Sequence, residues 1–152
     1  MKKIIIWILV LAWMGVIFYF SSMDSTTSTN KSRGIITSTK IIEKYESDKT
    51  PEESEELLES TDVIIRKIAH ACEFLVLGIL VCFLIKEYTL DIKKILIIAA
   101  IICFLYACSD EIHQIYVPGR SCEIRDIIID NIGALVGYVI FYVSGLKIWK
   151  KA

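Results

Sequence analysis

The sequence lacks the cysteine pattern that staples small domains. Its five cysteines, at positions 72, 82, 103, 108 and 122, include no C-x-x-C pair, and four lie in apolar runs where a thiol behaves as a small hydrophobe. A disulfide framework and a structural zinc scaffold are excluded. Charge of one sign is also missing: 17 Lys and Arg stand against 18 Asp and Glu, a net charge of −1. No basic field therefore exists to attract nucleic acid, which is excluded as a partner. Nor is the chain poor in apolar residues. Its mean hydropathy is +0.56 and 23% of it is charged, which excludes disorder over most of the length. No internal repeat is present.

What is there is apolar sequence of one-domain length. Of 152 residues, 55% are AVILMFWYC, and exchanging the seven Tyr for the seven Gly leaves that count unchanged, against about 45–50% in soluble domains. The excess is concentrated in four runs. Residues 4–20 are uncharged, and Phe20-Ser21-Ser22-Met23 offers no small-x-small cleavage site, so this run reads as a first span rather than a signal peptide. Residues 68–85 are interrupted by His70 and Glu73, and residues 127–146 by Asp130 and Asn131. The run from Ile95 to Cys108 is about 21 Å of helix, too short for a hydrocarbon core of about 30 Å. A full crossing has to continue through Ser109-Asp110-Glu111-Ile112-His113-Gln114 toward residue 117, which draws polar side chains into the membrane. The predicted fold is all-α: one domain over 1–152, a polytopic membrane protein with spans at about 4–20, 68–85, 95–117 and 127–146.

Basic residues flanking the spans set the orientation. Residues 1–3, 86–94 and 147–152 carry eight Lys in 18 positions, whereas 21–67 and 118–126 carry nine Lys and Arg in 56. Both termini are therefore expected in the cytoplasm, with 21–67 an extracytoplasmic loop. That loop opens with a Ser/Thr-rich stretch, Ser21 to Ser32, which contains a formal but uninformative glycosylation sequon at Asn30-Lys31-Ser32. Ile35, Ile42 and Tyr45 then give a weak amphipathic-helix signal. Thr50-Pro51-Glu52-Glu53 has the hydroxyl cap, early proline and later glutamate of a helix start, so a short acidic helix is expected to about Glu59. Its glutamates read as an acidic first turn complementing the helix dipole.

The polar residues of the last three spans fall on particular faces. Arg66, His70 and Glu73 share one face of the second span. Asp110, His113 and Gln114 share one of the third, with Glu111 turned about 100° away and in need of its own partner. On the fourth, Asp126, Asp130, Gly133 and Gly137 align carboxylates with small residues suited to close helix packing. All lie near the outer ends of their spans, and Val117-Pro118-Gly119-Arg120 forms a tight turn. Charge within lipid is costly, so the expectation is an outward-facing polar pocket. Arg66, Lys67, Arg120 and Arg125 suit an anionic headgroup, since guanidinium groups grip phosphate oxygens bidentately; Gln114, Asp126 and Asp130 complete the candidate binding set. His70, Glu73, Asp110, Glu111 and His113 are the candidate acid–base residues. Two alternatives stay open: neutral histidines satisfied by carboxylates, and a charge network that merely pins the helices. His70-x-x-Glu73 and Asp110-x-x-His113 place possible metal ligands one turn apart. Neither matches H-E-x-x-H nor the E-x-x-H pair of di-iron bundles, and Arg66 and Arg120 oppose a cation, so no metal and no other cofactor is assigned.

Three blocks carry a resemblance: Arg66-Lys67-x-x-His70-x-x-Glu73-Phe74; Ser109-Asp110-Glu111-x-His113-Gln114-x-Tyr116-x-Pro118-Gly119-Arg120; and Asp126-x-x-x-Asp130-Asn131-x-Gly133-x-x-x-Gly137. In these the chain resembles the VanZ-like family of small bacterial membrane proteins, the middle block being the most specific. Trp13, Phe18, Ser21 and Ser22 are similar to the family's first-helix ending, whereas Ala71 stands where its pattern has an aromatic. The similarity covers most of the chain except about residues 23–60. It implies a cell-envelope protein linked to tolerance of lipoglycopeptides such as teicoplanin, without implying a particular reaction. The expected partner is a membrane lipid or lipid-linked cell-wall precursor, with a glycopeptide antibiotic as a further possible partner. An enzyme using histidine and carboxylate chemistry on a phosphate or acyl group, and a purely structural protein, are the competing classes.

The topology is tested by single-cysteine labelling in intact cells. Ser47→Cys is expected to react with an impermeant reagent and Lys150→Cys is not; equal reaction at both positions contradicts the orientation.

Overall fold

A computed structural model describes residues 2–39 and 50–149, and among these residues all the regular structure is helical: α1 (Lys2–Ser21), α2 (Ser25–Thr39), α3 (Pro51–Lys86), α4 (Ile92–Gln114) and α5 (Ile124–Trp149). Four of these helices are long and apolar enough to cross a membrane: α1, α3, α4 and α5. α1, α3 and α5 run through the apolar runs at 4–20, 68–85 and 127–146, while α4 ends at Gln114, short of the expected 117. α4 starts at Ile92 because Asp91 caps it, accepting from the backbone N–H of Lys93 and Lys94, and it carries the polar residues to Gln114 as its length requires.

Two local expectations are corrected. The short acidic helix is no separate element: Thr50 and Glu53 form the expected capping box, but the helix then runs unbroken to Lys86. Nothing between Glu52 and Leu77 stops it, since that stretch has no glycine or proline. At about 54 Å, α3 is far longer than a hydrocarbon core, so its first half stands outside the apolar layer. The Ser/Thr-rich stretch also forms a helix, α2. Asp24 makes this possible: its carboxylate accepts from the Thr27 N–H at 2.7 Å, the Thr27 hydroxyl at 2.9 Å and the Thr26 hydroxyl at 2.5 Å. These bonds, that of Thr26 foremost, hold the Asp24 carboxyl down at about 2. Because the folded value is depressed, this capping contribution is complete above the ordinary carboxyl value of 3.8 and disappears as pH falls from there through about 2. Ile42 and Tyr45 lie outside the described residues.

The four long helices alternate in direction, so the end of α1, the 66–73 turns of α3, the end of α4 and the start of α5 share one end of the bundle. Lys3 lies over the ring of Tyr88 at the other end. α3 and α5 make the closest approach. A Cβ added at Gly133 would run into the Ala71 carbonyl, one at Gly137 into the Leu75 carbonyl, and one at Gly78 would sit 2.7 Å from the Ala134 carbonyl oxygen. The small residues of both helices thus let backbone meet backbone. Phe74, Leu77, Val81, Ile95, Ala99, Cys103, Ala107 and Ala134 fill the interior. Trp13 Nε1 donates to the Glu73 carbonyl at 2.9 Å and Tyr106 Oη to the Met14 carbonyl at 2.6 Å, which ties α1 to α3 and α4. Ile97, Ile101 and Leu105 of α4 and Ile128, Ile132, Leu135 and Val139 of α5 face outward at helical spacing. Apolar residues outside and carboxylates inside is the arrangement a lipid solvent selects.

Gly133→Ala or Gly137→Ala sets a methyl group against a carbonyl that cannot move without its helix. Each is expected to destabilise the purified protein by about 1–3 kcal/mol or more, seen as a lowered unfolding temperature in detergent. Gly15→Ala, with nothing within 4 Å of the added carbon, serves as the comparison and should cost nothing. Equal stability of all three variants contradicts the packing.

Candidate functional site

The α3–α5 contact decides what meets at the polar end. Ala71 lies over Gly133, so His70 on α3 and Asp130, one turn before Gly133 on α5, come to the same level of the bundle. α4 then brings Asp110 beside them: one ligand atom from each of His70, Asp110 and Asp130 lies within 4.8 Å of the other two. Asp110, Glu111 and Asp130 are each 1–2% exposed, a severe burial for carboxyl groups.

Their partners differ. Asp110 Oδ2 accepts from the Ser21 hydroxyl at 2.7 Å and from the Gln114 amide at 3.1 Å, while its Oδ1 is buried without a hydrogen bond. Asp130 Oδ1 and Glu73 Oε2 are likewise buried and unbonded, with Glu73 Oε2 3.7 Å from His70 Nδ1. Glu111 has found the partner its separate direction requires: Oε2 accepts from the Glu123 N–H at 2.9 Å. This bond fixes the chain just before α5.

A cavity of about 380 Å³ opens beside these groups, between α3, α5, the 115–123 turn and the start of α2. Arg66, Lys67 and His70 line it from α3, Glu111 and Gln114 from α4, and Arg125, Asp126 and Asp130 from α5, with Arg120 from the turn. Lys67 Nζ pairs with Asp126 at 2.5 Å and lies 3.6 Å from Glu123. Arg66 is 3.4 Å from the buried Asp62. Arg120 is different, because it donates to neutral groups only: Nε to the Met23 carbonyl at 3.0 Å and Nη1 to Gln114 Oε1 at 3.4 Å. Burial pushes the Arg120 pKa below the ordinary arginine value, and Arg66 nearby pushes the same way. Asp110, Glu111 and Asp126 push it back up, and a guanidinium keeps its proton, so the site holds a half-buried positive charge whose direct hydrogen bonds go to neutral groups. Gly119 permits the turn, with φ of 72° and no room for a Cβ, which would come within 2.9 Å of the Cβ of Ser25, whose N–H donates to the Pro118 carbonyl at 3.3 Å.

Of the twelve residues singled out in the sequence, nine line the cavity, and Glu73 and Asp110 stand behind its wall. His113 does not join them. Its ring stacks on Phe18 at 4.3 Å, with Nε2 3.0 Å from the Ser22 hydroxyl, so it faces α1. The shared helical face placed it with Asp110 and Gln114, but His113 sits at the edge of that face, where the aromatic side of α1 claims it. Ser25, Asp62 and Glu123 join the site without having been singled out in the sequence, and Ser21, noted there only in the first-helix ending, bonds Asp110. The i,i+4 spacing of Asp62 and Arg66 was an available signal for one of them; Ser25 and Glu123 are reached only through the tertiary fold.

The structural part of the site is tested at Glu111. Glu111→Ala removes the acceptor of the Glu123 N–H and is expected to cost about 0.5–1.5 kcal/mol, the net worth of one hydrogen bond, whereas Glu111→Gln keeps an acceptor and most of the stability. Unfolding temperatures of the two variants check this; a Gln variant as unstable as the Ala variant contradicts the assigned role.

A family model described as VanZ/LLP1 matches residues 6–146, a range that takes in all of α3 and α4, most of α1 and α5, and every residue of the cavity. No curated protein and no solved structure matches the chain. With nearly the whole length matched and four apolar helices to cross the bilayer, the chain is a multi-pass membrane protein that belongs to the VanZ/LLP1 family.

Proposed function

We propose that this protein binds the anionic, phosphate-bearing headgroup of an envelope lipid or lipid-linked cell-wall precursor at the outer face of the bacterial cell membrane, and thereby alters susceptibility to teicoplanin-type antibiotics. The observation that carries the reading is Arg120: a half-buried guanidinium on the cavity wall whose hydrogen-bond partners are a carbonyl and a carboxamide. A phosphate oxygen would restore the solvation that burial removed, and Arg125 on the same wall would share the charge. The lysine asymmetry of the flanking segments supports cytoplasmic termini and hence an extracytoplasmic cavity. Membership of the VanZ/LLP1 family supports the link to glycopeptide susceptibility. The antibiotic itself is a second candidate partner.

An enzymatic reading is favoured by a separate observation, the presence of His70 and Asp130 on the wall of the same cavity. There they would exchange protons with a bound phosphate or acyl group. No nucleophile, base and oxyanion donor can be assigned together, so binding is the function proposed first.

Native mass spectrometry of the protein purified with its lipids tests the proposal. The expected result is an anionic lipid enriched over its share of the membrane, with affinity reduced on the order of 10- to 100-fold in Arg120→Ala, the loss expected for one charge-assisted contact of about 1.5–3 kcal/mol. Turnover of the retained lipid that stops in His70→Ala would select the enzyme. Lipid retention that mirrors the bulk membrane and ignores Arg120→Ala contradicts both.

A further inference from the structure

Three helices each contribute a metal-ligating side chain to one buried point. One ligand atom from each of His70, Asp110 and Asp130 lies within 4.8 Å of the others, and the two aspartates are 2% and 1% exposed. Each aspartate also keeps one buried oxygen, Oδ1, that makes no hydrogen bond. On Asp110 the second oxygen is already occupied by Ser21 and Gln114, so the orphaned oxygen is the one left to a ligand. Two carboxylates this close repel, and burial makes that repulsion costly unless something positive lies between them.

The basic residues nearby do not supply it. Arg66 turns to Asp62, Lys67 to Asp126 and Glu123, and Arg120 to Met23 and Gln114. Arg66 and Arg120 stay within electrostatic reach of His70 and oppose a cation there, but their direct bonds go to Asp62, Met23 and Gln114 and leave the Oδ1 atoms of Asp110 and Asp130 open.

We propose that His70, Asp110 and Asp130 bind a divalent transition-metal ion of the Mn²⁺, Fe²⁺ or Zn²⁺ class. The imidazole disfavours Mg²⁺ and Ca²⁺, and the paired carboxylates disfavour the soft, thiolate-seeking ions. Metal–ligand bonds of about 2.0–2.2 Å place neighbouring ligand atoms about 3.0–3.5 Å apart, so rotation of the three side chains has only to draw them together by about an ångström each. Glu73 Oε2 lies 3.7 Å from His70 Nδ1, close enough for a small rotation to make it the carboxylate that orients a ligating imidazole. His70 and Asp130 also line the cavity, so the ion's open positions face the space in which an anion would sit. The site goes beyond the anion-binding proposal and stands or falls without it.

The test is a titration of the full-length protein, purified in detergent and stripped with chelator, with Mn²⁺ in phosphate-free buffer, free ion being followed by electron paramagnetic resonance. The expected result is one tight site per chain, weakened at least tenfold by His70→Gln and by Asp130→Asn and unchanged by Glu59→Gln, an exposed acid on the same helix as His70. Unfolding temperatures establish that the variants are folded, and should Asp130→Asn fail to fold, the His70→Gln titration decides alone. Saturable binding that all variants share equally overturns the proposal. So does a protonated-carboxyl infrared band of the buried aspartates that persists at saturating Mn²⁺, since the groups would then share a proton instead of a metal.

Discussion

The contact on which the rest of this structure depends is the backbone approach of α3 and α5. Gly133 and Gly137 meet the carbonyls of Ala71 and Leu75 directly, and Gly78 returns the contact against Ala134. In lipid, where apolar side chains gain little by leaving acyl chains for one another, close packing of small residues is what holds two helices together. The same contact fixes the register of the polar residues. His70 is next to Ala71 and Asp130 is one turn from Gly133, so a slip of one turn would part them by about 5.4 Å. The glycines therefore position the site as well as stabilise the fold.

Once α3 and α5 are set, α4 closes the arrangement, and the electrostatics become expensive. Asp110, Glu111 and Asp130 are almost fully buried; Glu111 accepts from the N–H of Glu123 at the entry to α5, and Asp110 is satisfied at one oxygen by Ser21 and Gln114. Asp110 and Asp130 retain orphaned oxygens. A network evolved to pin helices would match each carboxylate to a guanidinium or ammonium group; here the cations pair elsewhere, and Arg120 bonds only to neutral acceptors. The charges that are poorly matched internally lie on and behind one cavity wall, which is the pattern of groups kept for a ligand.

Much of this arrangement is legible in the sequence because helical periodicity alone determines it. The four apolar runs give the spans, the short run of α4 forces its polar end inward, and the 126–130–133–137 spacing gives the packing face of α5. The face shared by Arg66, His70 and Glu73 follows from the same rule. What stays hidden depends on chain segments meeting at a distance. Helix α2 is obscured by a Ser/Thr-rich composition until the Asp24 cap is seen, and Arg120 has no visible partner until the turn after α1 brings the Met23 carbonyl to it. His113 shows the limit of face assignment: periodicity gives its direction to within a quarter turn, and the stack on Phe18 decides the remainder. The continuous α3 was legible in the absence of helix breakers after Glu53, but the strong capping box drew attention to a beginning rather than to the missing end.

The central claim is that the buried carboxylates are held for a ligand at some expense to the fold. It is tested most directly by the unfolding temperature of Asp110→Asn and Asp130→Asn, alone and together, in detergent with excess chelator. If the charges serve a ligand, neutralising them relieves unpaired burial, and the variants are expected to melt at or above the wild-type temperature. A marked fall in unfolding temperature, larger in the double variant, would show that the carboxylates hold the helices together and would contradict the account.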